Sequence, residues 1–348
     1  MANEVIYDDG NISNKSMSGS AEFEFEHAST PLPQSKYDEL VALGDTDGLY
    51  TINGKCYVIG ERANRFGSIR HEGSNRYTSE YYQRFLAVSL YNLINRNSRS
   101  VFVYASIPPK DNAYKDAIKS IAQGDIEVTH AHNKTRRYRV TGCNTWFEPL
   151  GGVMNRLMND DGYKIDDANI SLHIGETLVI DIGGLTIDYI LLENGVPDFS
   201  SARSWTERNI IDTLEDFKEA IIKRYPNELK GARDLKIDKV RDALRSGFYQ
   251  AGGQGVLDCT FEADEATHII VDAVQSRYEQ YGGSTLDNVL LTGGGSGLLG
   301  DKIRERMKIK NHWRKGVFMA DNENIQRANM RGAKKLLAYY KSQGVKIG

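Results

Sequence analysis

Proline is scarce in this chain, with 7 in 348 residues, and cysteine scarcer, with three. Cys56, Cys143 and Cys259 are odd in number, far apart and outside metal-binding spacing. They exclude a disulfide framework and fit reduced thiols. No window approaches the roughly 18 consecutive apolar residues of a spanning helix. Neither charge dominates: 44 Lys and Arg face 47 Asp and Glu, a formal net charge of −3. That leaves no basic surplus for wrapping nucleic acid or lying on an anionic membrane. Near the start, Glu4, Asp8 and Asp9 interrupt what a secretory leader would need, so a cytoplasmic location is expected.

What is present is an ordinary globular composition, 40% hydrophobic and 26% charged. At about 100–200 residues per domain, the length suggests two domains. Val5-Ile6-Tyr7 reads as a strand running into the turn signal Asp8-Asp9-Gly10. Gly48–Ile52 and Lys55–Ile59 alternate around Asn53-Gly54, a strong two-residue hairpin signal. Thr78 is a candidate cap for a helix whose apolar face holds Tyr82, Phe85, Leu86, Leu90, Leu93 and Ile94. Ser100–Ser106 reads as a buried strand stopped by Pro108-Pro109, with a helix from about Asp111 to Ala122. Ile126–Val140 reads as a hairpin, and a helix starts near Glu148-Pro149.

The second half repeats that order. Thr177–Ile182 and Ile187–Glu193 are strands around a glycine turn. Helices are expected near Thr206–Arg224, Ile237–Phe248 and Asp264–Tyr281. Val289–Thr292 is a short strand leading into a glycine run and a helix near Leu298–Lys308. A last helix runs from about Glu323 to Lys341. Paired strands followed by alternating helices and strands predict a mixed α/β sheet in each half. The polar, turn-rich stretch Asn159–Asn169 marks the boundary between them.

An internal echo is the informative feature. Val5-Ile6-Tyr7-Asp8-Asp9-Gly10-Asn11-Ile12-Ser13 lies over Leu178-Val179-Ile180-Asp181-Ile182-Gly183-Gly184-Leu185-Thr186. Each copy has three strand residues, Asp-x-Gly, a small or polar residue, an aliphatic and a hydroxyl. A glycine turn there gathers backbone N–H groups into an anion nest. The hydroxyls of Ser13 and Thr186 add donors, and Lys15 adds a point charge. The strand-end aspartates repel phosphate but suit Mg²⁺ held through water, because Mg²⁺ keeps much of its hydration shell. Either copy alone is a common turn; two matched copies are harder to dismiss.

A third element is Leu291-Thr292-Gly293-Gly294-Gly295-Ser296-Gly297, between strand and helix. It gives a base and ribose room against bare backbone and points helix N–H groups at phosphate. A fourth is Glu148, among Trp146, Phe147 and Pro149, where a carboxylate has the reach to orient a water for attack on a γ-phosphate. A glutamate in a first helical turn is also favoured by the macrodipole, which by itself accounts for the residue.

Taken together, these segments resemble the actin and heat-shock ATPase superfamily, and within it the bacterial plasmid-segregation actins of the ParM type. Asp8 through Lys15 is similar to the first phosphate motif, Val179 through Asp188 to the second, and Thr292-Gly293-Gly294-Gly295 to the adenosine motif. Glu148 with Pro149-Leu150-Gly151-Gly152 is similar to the first connecting segment, and Ala328-Asn329 with Gly332 to the second. The resemblance implies two ribonuclease-H-like, actin-fold lobes with a nucleotide cleft between them. Lobe I spans 1–165 and is completed by a C-terminal helix at 322–348; lobe II spans 166–321.

The resemblance also implies ATP or GTP hydrolysis with Mg²⁺. Glu148 and Asp181 are the implied catalytic residues, and Asp8 and Asp181 the water-mediated Mg²⁺ partners. The implied nucleotide contacts are Asp8, Gly10, Asn11, Ile12, Ser13 and Lys15; Gly183, Gly184, Leu185, Thr186 and Asp188; and Gly293, Gly294, Gly295 and Ser296. It implies a bacterial, cytoplasmic, head-to-tail homopolymer that segregates plasmid DNA through a DNA-binding adaptor, with no direct nucleic-acid or membrane contact. The alternative is a small-molecule kinase or a non-polymerising ATPase of the same superfamily. One departure is Trp205-Thr206-Glu207-Arg208-Asn209, which lacks the small-residue turn usual before the ribose-contacting helix.

Other features read as surface. His130 and His132 lack the carboxylates of a metal site. Lys134–Arg139 and Lys302–Lys315 are basic stretches that fit a solvated hairpin and a solvated helix face.

Overall fold

The computed structural model describes residues 3–10, 12–68, 76–77, 79–131, 133–163, 172, 174–229, 235, 237–251, 255–311, 317–319 and 324–344. Its contacts divide the chain into two units. The first comprises Met1–Gly151, Asp160–Tyr163 and Met330–Gly348; the second comprises Gly152–Asn159 and Lys164–Asn329.

The first unit is built on a nine-stranded sheet. Its strands are β1 (Asn3–Asp9), β2 (Ser13–Ser18), β3 (Ala21–Glu26), β4 (Ser29–Leu32), β5 (Leu49–Ile52), β6 (Lys55–Ile59), β7 (Ser98–Ile107), β8 (Gly124–His130) and β9 (Arg136–Phe147). They lie in the order β3-β2-β1-β7-β9-β8-β5-β6-β4. Helix α1 (Gln34–Ala42) joins β4 to β5, α2 (Glu80–Leu93) precedes β7, α3 (Lys115–Ala122) precedes β8 and α4 (Glu148–Leu157) follows β9.

Alternation along β1 decides which layer each side chain joins. Val5 and Tyr7 pack with Tyr82, Phe85, Leu86 and Leu90 of α2. Ile6 faces the other way, onto Met17, Tyr104, Met330, Ala333 and Leu337. The last three belong to helix α9 (Ala328–Ser342), so the final helix seals the second face of the first sheet. Ser79, not Thr78, caps α2, accepting from the Tyr81 N–H at 3.3 Å; Thr78 lies outside the described residues. At the β5–β6 hairpin Asn53 and Gly54 take φ +46° and +79°, and Ile52 pairs with Lys55, as that turn chemistry requires.

The second unit holds β10 (Glu176–Ile182), β11 (Ile187–Glu193), β12 (Val196–Trp205), β15 (Asn288–Thr292) and β16 (Val317–Met319), in the order β12-β11-β10-β15-β16. A separate ribbon pairs β13 (Phe248–Gln250) with β14 (Val256–Asp258). Helices α5 (Ile210–Arg224), α6 (Ile237–Ser246), α7 (Thr260–Gln280) and α8 (Ser296–Asn311) complete it. Ile210, Leu214, Phe217 and Ile221 form the buried stripe of α5, packed with Ile180, Ile187 and Tyr189 of the sheet and Ile270 and Val274 of α7.

The two units repeat one arrangement. Strands β3-β2-β1-β7-β9 and β12-β11-β10-β15-β16 share their order, and in each set the first three pair antiparallel and the last three parallel. Even the register agrees: Asp8 opposes Lys15 as Asp181 opposes Asp188, and Tyr7 opposes Ala105 as Ile180 opposes Leu291. Strand β12 is absent from the sequence expectation, which runs from β11 straight to a helix at Thr206. The stretch Val196-Pro197-Asp198-Phe199-Ser200 has weak strand propensity, and Pro197 is accommodated because β12 is an edge strand. The helix accordingly starts later, at Ile210, capped by Asn209, which accepts from the Asp212 N–H at 3.0 Å.

Candidate functional site

In the first unit β1 ends in two adjacent aspartates, and the pleat sends them to opposite faces. Asp8, 6% exposed, accepts from the Ser106 hydroxyl at 2.7 Å. That hydroxyl also lies 3.3 Å from Oε1 of Glu148, the first residue of α4. Past Asp9 the chain turns so tightly that a Cβ on Gly10 would stand 2.6 Å from the Ser13 carbonyl. The Ile12 carbonyl accepts from the His27 N–H at 2.9 Å, and Ser13 Oγ donates to Glu24 at 2.9 Å. Lys15, opposite Asp8, is half-buried and takes part in no ion pair among the described residues. Asn11 lies outside the described residues.

Asp9 points into the layer beneath the sheet. Its carboxylate accepts from the Tyr7 hydroxyl at 3.1 Å and stands 3.4 Å from His27 Nε2 and 3.5 Å from Arg76 Nε. Arg76 is 2% exposed, donates to Tyr77 at 2.6 Å and lies over its ring. Burial drives the Asp9 pKa up, but His27, Arg76 and Tyr7 outweigh it and hold the carboxyl below its ordinary value. Arg76 responds reciprocally: burial opposes its charge, while Tyr77, Asp9 and Glu148 reinforce it. The sequence holds no local signal for this network, because Asp9, His27 and Arg76 are brought together by strand pairing and not by spacing.

The second unit presents the corresponding turn. Asp181, 2% exposed, accepts from Asn329 Nδ2 at 2.5 Å, and Asn329 Oδ1 accepts from Thr292 at 3.1 Å. The Gly183 N–H donates to the Thr186 carbonyl at 2.8 Å, the Gly184 carbonyl accepts from Ile211, and Leu185 is half-buried. Thr186 Oγ1 donates to Asp188 at 2.8 Å, and Ser204 donates to the other oxygen of that fully buried carboxylate.

The glycine run closes against this turn. Gly293 has φ +82°, and a Cβ there would meet Asp181 Oδ1 at 2.3 Å. The Gly295 N–H donates to the Ile182 carbonyl at 2.7 Å, and Ser296 Oγ donates to the Thr292 carbonyl at 2.5 Å. Gly294 borders a cavity of about 290 Å³, walled otherwise by Asp238, Arg241, Asp242 and Arg245 of α6 and by Leu298. The sequence reading missed α6 as a wall. The four charges of α6 that line the cavity fall at i, i+3, i+4 and i+7, opposite buried Val240, Ala243 and Leu244, a pattern that an ordinary solvated face also gives.

The surface features resolve simply. Arg137 and Arg139 pair across the β8–β9 hairpin with Glu127 and Asp125 at 2.6 and 3.4 Å, and Lys302 and Arg306 pair with Asp264 and Asp272. His130 packs against Tyr50 and contacts Asn133 at 3.0 Å; His132 lies outside the described residues. Among the described residues no group of three or more His, Cys, Asp or Glu has the arrangement of a metal cage, and no helix is long and apolar enough to cross a membrane.

The sequence matches no protein-family model and no curated protein sequence. Solved structures do resemble it. Actin-like protein Alp7A superimposes with a TM-score of 0.78 at 16% identity, over 99% of this chain and 97% of that one. A ParM from Clostridium botulinum, solved as a whole 15-stranded filament, gives 0.69 at 16% identity over 99% of both chains. Bacillus thuringiensis ParM with ATP gives 0.67 at 14% identity, over 98% of this chain and 99% of that one. The chain therefore has the actin fold.

Two outcomes follow from this geometry. Asp9→Ala removes the carboxylate 3.5 Å from the buried Arg76 guanidinium and lowers stability by about 3–5 kcal/mol in denaturant unfolding. Because the Asp9 pKa is depressed on folding, its contribution is complete above the ordinary value of 3.8 and is lost as pH falls below it; Asp9→Asn flattens that acid limb of the stability–pH curve. Gly293→Ala combines a left-handed backbone with a clash against Asp181 and costs about 1–3 kcal/mol, read as a lowered Tm.

Proposed function

We propose that this chain binds ATP or GTP with Mg²⁺, hydrolyses it, and assembles head-to-tail into filaments that segregate plasmid DNA through a DNA-bound adaptor. The observation that carries the reading is the duplication: two Asp-bearing glycine turns, each at the same register of the same five-strand arrangement. In this reading each turn is a phosphate site. The N–H groups near Gly10 and Gly183 and the Lys15 ammonium meet the phosphates. The cavity beside Gly294 takes the base and ribose, with charged side chains of α6 for the sugar hydroxyls.

The donor chemistry fits magnesium. Asp8 and Asp181 supply hard carboxylate oxygens, which suit an ion that keeps waters and takes phosphate oxygens. When bound, the ion would neutralise charge developing on the phosphates. Glu148 would orient the attacking water, and the rest of the catalysis is positioning and electrostatics. A γ-phosphate favours one conformational state of the chain, and its loss relaxes it. A heterologous contact that does not close into a ring then propagates as a fibre. The solved likenesses to a filament and to an ATP complex support this reading.

Pelleting and light scattering with Mg²⁺ and each triphosphate, run alongside phosphate release, test it. Assembly is expected only with a triphosphate. Glu148→Ala is expected to keep assembly and slow phosphate release by on the order of 100-fold, and Asp181→Ala to lose both. A monomer under every nucleotide removes the filament, and phosphate transfer to a small acceptor without assembly favours the kinase alternative.

A further inference from the structure

The matched registers extend beyond the two turns. Ser106 on β7 and Thr292 on β15 occupy equivalent positions, one residue past the Tyr7–Ala105 and Ile180–Leu291 pairs. Each hydroxyl links a strand-end aspartate to the start of the helix that follows the last strand of its set. In the second unit the link is a one-way chain: Thr292 donates to Asn329, and Asn329 donates to Asp181. The Thr292 hydroxyl donates to the amide oxygen and the amide nitrogen to the carboxylate, so neither donor is shared between two carboxylates.

The first unit differs at one position. Where the second unit has the amide of Asn329, the first has the carboxylate of Glu148. Ser106, 2% exposed, therefore faces two acceptors, Asp8 Oδ1 at 2.7 Å and Glu148 Oε1 at 3.3 Å. A serine hydroxyl has one proton and serves one carboxylate at a time. At these distances the proton belongs to Asp8, and the contact to Glu148 lies past the usual range of a hydroxyl hydrogen bond.

We propose that Ser106 is a positioning residue whose hydroxyl turns from Asp8 to Glu148 when Asp8 engages the water shell of a cation bound with the polyphosphate. The turn needs only rotation about the Ser106 Cβ–Oγ bond. It gives the Glu148 carboxylate one more hydrogen bond, to a charged group, when metal and nucleotide are in place. Glu148 heads α4, so the same bond ties nucleotide occupancy to the helix along which the chain passes from the first unit to the second. Asn329 makes the second unit's link permanent, which leaves the first unit as the responsive one. This inference rests on the nucleotide reading above.

Ser106→Ala and Ser106→Thr in the full chain test it, with kcat, KM, the affinity for a non-hydrolysable triphosphate and the Mg²⁺ concentration that half-saturates its binding. For Ser106→Ala, kcat is expected to fall by about ten- to a hundredfold, the loss of one hydrogen bond to a charged group. Nucleotide affinity and Mg²⁺ requirement are expected to hold or improve, since Asp8 loses a competing donor. Ser106→Thr, which keeps the hydroxyl, restores kcat. An unchanged kcat in Ser106→Ala overturns the proposal. So does a parallel loss of affinity and kcat in Ser106→Ala that threonine does not rescue, since that pattern marks a merely structural serine. A wild-type chain that neither binds nor hydrolyses a triphosphate defeats the nucleotide reading itself; a Ser106→Ala variant as fast as an active wild type defeats only this inference.

Discussion

Two carboxylates on consecutive residues repel each other, and the first unit depends on how β1 separates them. The pleat sends Asp9 down among Tyr7, His27 and Arg76 and leaves Asp8 on the opposite face beside Ser106. The lower carboxylate is neutralised by buried partners, so its charge does not raise the cost of the upper one. One strand thereby supplies a structural anion to the layer beneath the sheet and a chemically open one to the face above, a division that holds only while the register of β1 against β2 and β7 is kept.

The second unit solves the same problem with different groups. Asp181 sits alone at its strand end, because the position after it is Ile182, fully buried in the hydrophobic core. Its carboxylate is held by an amide and not left to a shared hydroxyl. The buried anion of this unit is instead Asp188 on the neighbouring strand, satisfied by Thr186 and Ser204. The two units thus share a backbone arrangement but not the polar chemistry laid on it: strand order and register repeat, while the hydrogen-bond circuits around the two aspartates differ.

The parts legible in the sequence were those written locally. Asp8-Asp9-Gly10 and Asp181-Ile182-Gly183 announced their turns by residue type, Asn53-Gly54 announced a hairpin, and the stretch Thr206–Arg224 announced a helix, which begins at Ile210. The parts that were not legible depend on partners distant in the chain. Ser106 reads as the end of an apolar strand until β1 is laid beside it. Arg76 and His27 carry no periodic signal. Strand β3 alternates at Ala21–Glu26 yet is missing from the expectation, and β12 is missing because proline and serine weaken its strand signal. The charged face of α6 became a cavity wall only once the glycine run was folded against it.

Helix α9 carries an implication for how the chain is made. Ile6, Met17 and Tyr104 precede the second unit in the sequence, yet the residues that cover them, Met330, Ala333 and Leu337, follow it. An apolar sheet face therefore stands exposed to water while the whole second unit is still being produced. A domain emerging in that condition is a natural client for chaperones that shield hydrophobic surface on the ribosome. The first unit completes its native packing only after the second has been synthesised, although its sequence comes first.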